Sequence, residues 1–215
     1  MPDGRPTFYV LAGPNGSGKT TFALNDPSLK SIPFINTDIE AQRLSPASPA
    51  KAALAAGRIT LSNVAREIAA GMAFAMETTL SGRSTLEMMQ RAIAAGYGID
   101  LSYLCLDSPN LNIGRVAMRV AAGGHHVPDE DVLRRYSRSL RNLPAALALS
   151  DRARVFDNTK HATAQLVLEM HERTVIFLHQ ELPAWLRTAF QLNDGLEDVT
   201  RHIEHSLQEL RRMKR

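Results

Sequence analysis

TFYVLAGPNGSGKTTF, residues 7–22, joins a short apolar run to a glycine-rich turn. Phe8 to Ala12 has the length and character of a buried parallel strand. Gly13-x-x-x-x-Gly18-Lys19-Thr20 is the full phosphate-binding loop pattern. The glycines permit backbone turns that a Cβ would resist, and such a turn aims successive N–H groups at an anion beside the positive end of the next helix. Gly13, Pro14, Asn15, Gly16, Ser17, Gly18, Lys19, Thr20 and Thr21 are therefore candidate nucleotide-binding residues. Lys19 is placed to reach the β- and γ-phosphates, and the Thr20 hydroxyl to ligate Mg²⁺. The stretch predicts a protein that binds ATP or GTP.

Working outward, strands alternate with helices. A short helix runs from Lys19 to about Asn25 and stops at Asp26-Pro27. Ile32 to Asn36 reads as a second buried strand, after which Thr37 or Asp38 can cap a helix. An Ala-rich helix from about Pro49 to Ala70 carries the apolar stripe Leu54, Ile59, Leu61, Val64 and Ile68. Further strands are predicted over Met72–Met76, Ile99–Leu106 and Arg154–Asp157. Helices fall over Gly82–Ala95, Asn110–Ala122 and from Pro128 to about Leu149. Residues 1–158 thus read as a parallel sheet sandwiched by helices. Residues 159–215 read as a mostly helical extension: a helix over about Ala162–Glu172, a strand over Val175–Leu178, a short helix after Pro183 and a last helix from Leu196 to Met213. The last helix puts Leu196, Val199, Ile203, Leu207 and Leu210 on one face, for docking on the core or for binding a partner.

Composition fits a soluble globular enzyme. The chain has 215 residues, 44% hydrophobic and 22% charged, with a net charge of +3. No run of Lys and Arg interleaves with aromatics, so no nucleic-acid platform is expected. The single cysteine, Cys105, sits in an apolar run and reads as an inert core residue. No apolar stretch of signal-peptide length precedes the loop, and nowhere do 18 apolar residues run together; no membrane association is expected and the cytoplasm is the default.

In a parallel sheet, ligands sit beyond the carboxyl ends of the strands. Those ends carry Gly13, Asp38, Glu77, Asp107 and Asp157-Asn158, which are expected to line one cleft. Asp38 is a candidate base for an acceptor hydroxyl, or only a helix cap. Glu77, followed by Thr78, Thr79 and Ser81, is a candidate to hold a hydroxylated substrate, to touch Mg²⁺ through water, or to be a plain loop carboxylate. Asp107 is expected to cap the turn into Asn110. Cations come from Arg115, Arg119, Arg134, Arg135, Arg138 and Arg141, which flank Gly123-Gly124. Two helices joined by a glycine pair and bearing arginines, near residues 110–141, are what a closing lid requires. His125 and His126 have no further ligands at metal spacing, which favours a lid or substrate contact over zinc.

The ordered set GPNGSGKTT, FINTD, METTL, arginine-bearing lid and RVFDN, spanning residues 7–158, resembles the zeta-toxin group of P-loop kinases. That resemblance implies ATP and Mg²⁺ as cofactors and transfer of the γ-phosphate to a hydroxyl of UDP-N-acetylglucosamine. It implies Lys19 as the loop lysine, Asp38 as the base, Glu77 with Thr79 as substrate-binding, Arg119 as a lid arginine and an antitoxin protein as a partner. The group's second lid arginine would fall near His125, where this chain has none, which leaves Arg134, Arg135 or His125 itself to complete the lid; we take Arg135. The alternatives are a kinase for another small hydroxyl metabolite or an antibiotic, and a nucleotide-dependent binding module. Lys19→Ala is expected to leave the protein folded while transfer falls by about 10²- to 10³-fold; a folded variant turning over at the parent rate would contradict the loop assignment.

Overall fold

The computed structural model describes residues 4–46, 48–160, 163–192 and 199–212. Strand β1, Thr7–Ala12, is apolar at almost every position, because it lies between two other strands with helices over both faces. Helix α1, Lys19–Asn25, leaves the loop directly. Then follow β2 (Phe34–Asn36), α2 (Thr37–Leu44), a turn of tighter 3₁₀ helix over Pro49–Ala52, α3 (Ala53–Ala70), β3 (Phe74–Thr78), α4 (Arg83–Ala94) and β4 (Gly98–Cys105). Helices α5 (Pro109–Ala121) and α6 (Asp129–Leu149) lead to β5 (Arg152–Asp157). The order across the sheet is β2-β3-β1-β4-β5-β6-β7, and the first five of these are mutually parallel. Chain order and sheet order therefore put β3 and β4 on either side of β1, and the loop after β1 emerges at the middle of the sheet. Phe8 and Phe74 stack at 4.4 Å between centroids in the core below it.

The stripe read on α3 is turned from its expected direction. Ala56, Thr60 and Val64 face inward, while Leu54 is 72% and Leu61 43% exposed. Small residues let α3 lie close to α2 (their contact centres on Ala41 and Ala56), and this rotates the leucines outward.

Beyond β5 the sheet continues where a helix is predicted. Residues Gln165–His171 form β6, antiparallel to β5, and β6 turns into β7, Thr174–Leu178. Leu166, Leu168 and Met170 recur every second residue, the strand period; Ala162, the start of the predicted helix, lies outside the described residues. The hairpin turn is Glu172-Arg173, with φ of 48° and 68°. A two-residue hairpin needs positive φ at both positions, and glycine or asparagine usually supplies it. Here tertiary contacts hold the turn instead: the Arg173 N–H donates to the Asp151 carbonyl at 3.1 Å, and Arg211 Nη2 donates to the Arg173 carbonyl at 2.9 Å.

A short helix α7, Ala184–Ala189, and helix α8, Val199–Arg212, close the structure. Helix α8 is docked: Ile203 and Leu207 are buried against α6 and β7, and Arg211 Nε donates to the Ala148 carbonyl at 3.1 Å. Leu196 and Met213, the ends of the predicted helix, lie outside the described residues. Among the described residues no helix is long and apolar enough to cross a membrane. Leu207→Ala is expected to cost about 2–5 kcal/mol, the range for truncating a buried leucine. Chemical denaturation measures it, and a change below about 0.5 kcal/mol, as on a solvated surface, would contradict the docking.

Candidate functional site

The loop between β1 and α1 takes its shape from positive-φ glycines and from amide side chains around it. Gly13 has φ of 141° and Gly18 φ of 95°; a Cβ on the first would strike the Leu104 carbonyl, and on the second the Asn158 side chain. The Gly13 N–H donates to the Thr78 carbonyl at 3.2 Å, fixing the loop's start to the end of β3. Asn112 Nδ2, fully buried on α5, donates to the Asn15 carbonyl at 2.5 Å. Asn158 Nδ2, just past β5, donates to the Ser17 carbonyl at 2.8 Å. Lys19 is 6% exposed and its Nζ donates to the Pro14 carbonyl at 2.8 Å, so its ammonium is folded over the loop it follows. Burial lowers the Lys19 pKa, with the Glu77 and Asp38 carboxylates opposing that shift and Arg119 adding to it. Among the described residues the buried Ser17 Oγ has no hydrogen-bond partner.

Two carboxylates face the loop. Thr20 Oγ1 lies 3.2 and 3.1 Å from the two oxygens of Glu77, to which it donates. Asn36 Nδ2 donates to Glu77 Oε2 at 3.0 Å; the pairing of β2 with β3 sets Asn36 directly beside Glu77. The same Asn36 caps α2: its Oδ1 accepts from the Asp38 N–H at 2.8 Å and the Ile39 N–H at 3.3 Å. The cap expected of Thr37 or Asp38 is thus one or two residues earlier, because Asn36 has the extended backbone that a cap requires (φ −138°, ψ 116°). Asp38 is thereby placed in the first turn of α2, its side chain 45% exposed to the cleft, with Oδ2 3.5 Å from His125 Nε2. Thr79 borders the cleft and its hydroxyl shares a 2.8 Å hydrogen bond with Ser81.

The arginines divide. Arg115 Nη2 donates to the Asn158 and Thr159 carbonyls, at 2.8 and 3.3 Å, and so ties α5 to the segment after β5. Arg119 Nη2 donates to the His125 carbonyl at 3.0 Å, and its buried Nε has no partner among the described residues. Arg135 Nη1 donates to Asn15 Oδ1 at 3.2 Å, in the loop itself. Asp131 pairs with both Arg134, at 2.6 Å, and Arg135, at 3.7 Å; Arg134 has its side chain 54% exposed and makes no bond to the loop, and Arg138 and Arg141 are exposed. Together these groups enclose a cavity of about 820 Å³, lined by loop residues 15–16 and 18–21 and by Asp38, Glu77, Arg119 and Arg135.

Three expected cleft residues, Gly13, Asp107 and Asp157, do not line the cavity. Ser108, not Asp107, is the cap position of α5, and it makes no side-chain cap bond. Asp157 accepts from the Thr159 N–H at 2.7 Å and from Trp185 Nε1 at 3.5 Å, which turns it away from the cavity. Cys105 is fully buried and its thiol is pushed up to about 12 by burial, as an inert core residue should be. The roles of Asn36 and Asn112 are not legible in the sequence; a buried asparagine in the first turn of α5, as Asn112 is, meets a carbonyl from a distant element.

No group of three or more His, Cys, Asp or Glu side chains suited to a metal occurs among the described residues. Thr20 with Glu77 supplies oxygen donors only, and few of them, which fits Mg²⁺: that ion takes one or two protein oxygens and completes its shell with phosphate and water.

A central loop of this geometry, on a sheet of this order, defines a protein of the P-loop kinase fold. No family model matches the chain. It belongs to one family with an uncharacterized protein of Haemophilus influenzae, 33% identical over 130 residues that make up 60% of this chain and 90% of that one. The structure of AvrRxo1-ORF1:-ORF2 with ATP is similar at a TM-score of 0.69 and 13% identity, over 97% of this chain and 78% of that chain. The PezAT chromosomal toxin–antitoxin system of Streptococcus pneumoniae is similar at a TM-score of 0.54 and 18% identity, over 96% and 88%. At such identities the likeness is one of fold.

Arg135→Ala, which removes a charged donor from the loop, is expected to weaken ATP binding by about 10- to 100-fold, the worth of a charged hydrogen bond. Arg134→Ala is expected to leave it within about twofold, since an exposed ion pair contributes little. Titration calorimetry compares the two, and equal losses would contradict this division of the arginines.

Proposed function

We propose that the protein is an ATP-dependent phosphotransferase with an alcohol group as acceptor. One observation carries the reading: Asp38 and Glu77 border the same cavity as Lys19 and Thr20, with Arg119 and Arg135 at its lid side. A site for nucleotide binding alone needs no second carboxylate there.

In this reading the N–H groups of Gly16 and of Gly18 to Thr21 receive the phosphates of ATP, while those of Gly13 and Ser17 stay bonded to the Thr78 and Pro14 carbonyls, and Lys19 exchanges the Pro14 carbonyl for the γ-phosphate. Thr20 would hold Mg²⁺, with Glu77 acting through water, and the ion would supply neutralisation of the phosphate charge. Asp38 takes the proton of the acceptor hydroxyl as that oxygen bonds to the γ-phosphorus; the bond to the bridging oxygen breaks and ADP leaves. Arg119 and Arg135 balance charge on the migrating group. Glu77 and Thr79 hold the acceptor's other hydroxyls.

The acceptor class follows from the zeta-toxin resemblance: a nucleotide sugar such as UDP-N-acetylglucosamine, phosphorylated in the cytoplasm by a protein that an antitoxin restrains. A second reading, a kinase for another small hydroxyl compound, is favoured by a smaller cavity of about 300 Å³ beside Glu77. Leu54, Leu61, Met76 and Met88 line it beside Arg58 and the hydroxyls of Thr37, Thr60, Thr78, Ser84 and Thr85, which suits an acceptor with an apolar body that also carries polar groups.

Asp38→Asn is expected to keep the fold and the ATP affinity while transfer falls by about 10²-fold or more, since general-base catalysis is worth about 10²- to 10⁴-fold. The measurement is ATP affinity beside phosphoryl transfer to a panel of hydroxylated metabolites. Transfer that survives in the variant would remove Asp38 as the base.

A further inference from the structure

His125 occupies the centre of a chain of contacts that spans the cleft. On one side Arg119 Nη2, from α5, donates to the His125 carbonyl at 3.0 Å and lies 3.5 Å from its Nε2. On the other side the same Nε2 lies 3.5 Å from Asp38 Oδ2, on α2. The His125 side chain is 24% exposed and that of Asp38 45%, so the imidazole covers one edge of the carboxylate and leaves the other to the cleft. Its neighbour His126 is exposed and takes no part.

One nitrogen between a guanidinium donor and a carboxylate acceptor must favour one of them. If Nε2 carries its proton, the N–H faces Asp38 Oδ2 across a long 3.5 Å contact, and Arg119 keeps the backbone carbonyl, the shorter of its two contacts. If Nε2 lacks the proton, it accepts from Arg119 Nη2 at 3.5 Å, and its lone pair then opposes Asp38 Oδ2 at the same distance. Repulsion between that lone pair and the carboxylate, with Arg119 already satisfied by the carbonyl, favours the Nε2–H tautomer.

We propose that His125 is a positioning residue for Asp38: its Nε2–H fixes Oδ2 toward the lid and turns Oδ1 toward the acceptor hydroxyl. This rests on the reading of Asp38 as the base and adds to it a residue that ties base geometry to lid position. Because Arg119 grips the His125 backbone, the base is held only when α5, the Gly123-Gly124 loop and α2 are in register. An acceptor proton is then taken only behind a lid that is in place.

The charge state matters as well. Asp38 on α2 favours the imidazolium, while Arg119 on α5, Arg135 on α6 and the adjacent His126 disfavour it. Burial is the largest influence and lowers the His125 pKa, so the ring is a neutral donor at pH 7. As pH falls through that lowered pKa the ring charges and binds Asp38 as a full ion pair. Transfer is then expected to fall.

The test uses the whole protein with His125→Gln, His125→Asn and His125→Ala. A glutamine amide nitrogen reaches where Nε2 stands; an asparagine amide does not. His125→Gln is expected to keep transfer within about threefold of the parent and to lose the acid fall contributed by the ring. His125→Asn and His125→Ala are expected to lose about tenfold or more in kcat, with the KM for ATP unchanged. Equal rates for Gln, Asn and Ala would overturn the proposal. NMR titration of the His125 ring, which needs no turnover, separates this from failure of the kinase reading. The ring is expected to titrate at lower pH in Asp38→Asn than in the parent, and no difference would overturn the His125–Asp38 coupling even in an active kinase.

Discussion

A backbone that aims its N–H groups at one anion must turn its carbonyls outward, and in a loop buried at the middle of a sheet those carbonyls have no water. This constraint organises the molecule. The Asn15 carbonyl is met by Asn112 and the Ser17 carbonyl by Asn158, both with amide side chains that arrive from other elements. A buried carbonyl left unmet costs about 1–3 kcal/mol, so α5 and the segment after β5 are part of the loop's stability. Arg115, which binds the Asn158 and Thr159 carbonyls, joins those two supports to each other.

The sheet then does the assembling. With β1 between β3 and β4, the end of β3 delivers Glu77 next to Thr20, and β2 beside it delivers Asn36 to Glu77. Asn36 spends one side-chain atom on Glu77 and the other on the first N–H groups of α2. The helix that carries Asp38 is thereby indexed to the carboxylate that meets Thr20. The arginines of α5 and α6 reach the cleft from the opposite side, Arg135 touching the loop and Arg119 the segment ahead of α6.

Much of this was legible in the sequence where local chemistry and fold agree. The loop pattern, the strand ends at Asp38 and Glu77, and the alternation of strands and helices to Asp157 all follow from short-range rules. What was hidden depends on distant partners. The hairpin after β5 lacks the glycine or asparagine that announces a primed turn, because Asp151 and Arg211 hold Glu172-Arg173 in place. The cap of α2 reads as Thr37 or Asp38 in the sequence, and Asn36 takes it because its backbone is still extended beside β3, where its amide also binds Glu77. The lid arginines could be counted but not sorted, since whether Arg134 or Arg135 enters the cleft is a matter of helix rotation about α6.

The claim on which all of this stands is that the loop is a preformed cradle for the phosphates of a nucleotide. Thermal unfolding followed against increasing ATP with Mg²⁺ tests it without knowledge of the acceptor. A ligand at one hundred times its Kd adds about 2.7 kcal/mol to stability, which for a chain of this length raises Tm by roughly 5–10 °C. The result expected is a Tm that climbs with the logarithm of ATP concentration; a Tm that stays flat to millimolar ATP would contradict it.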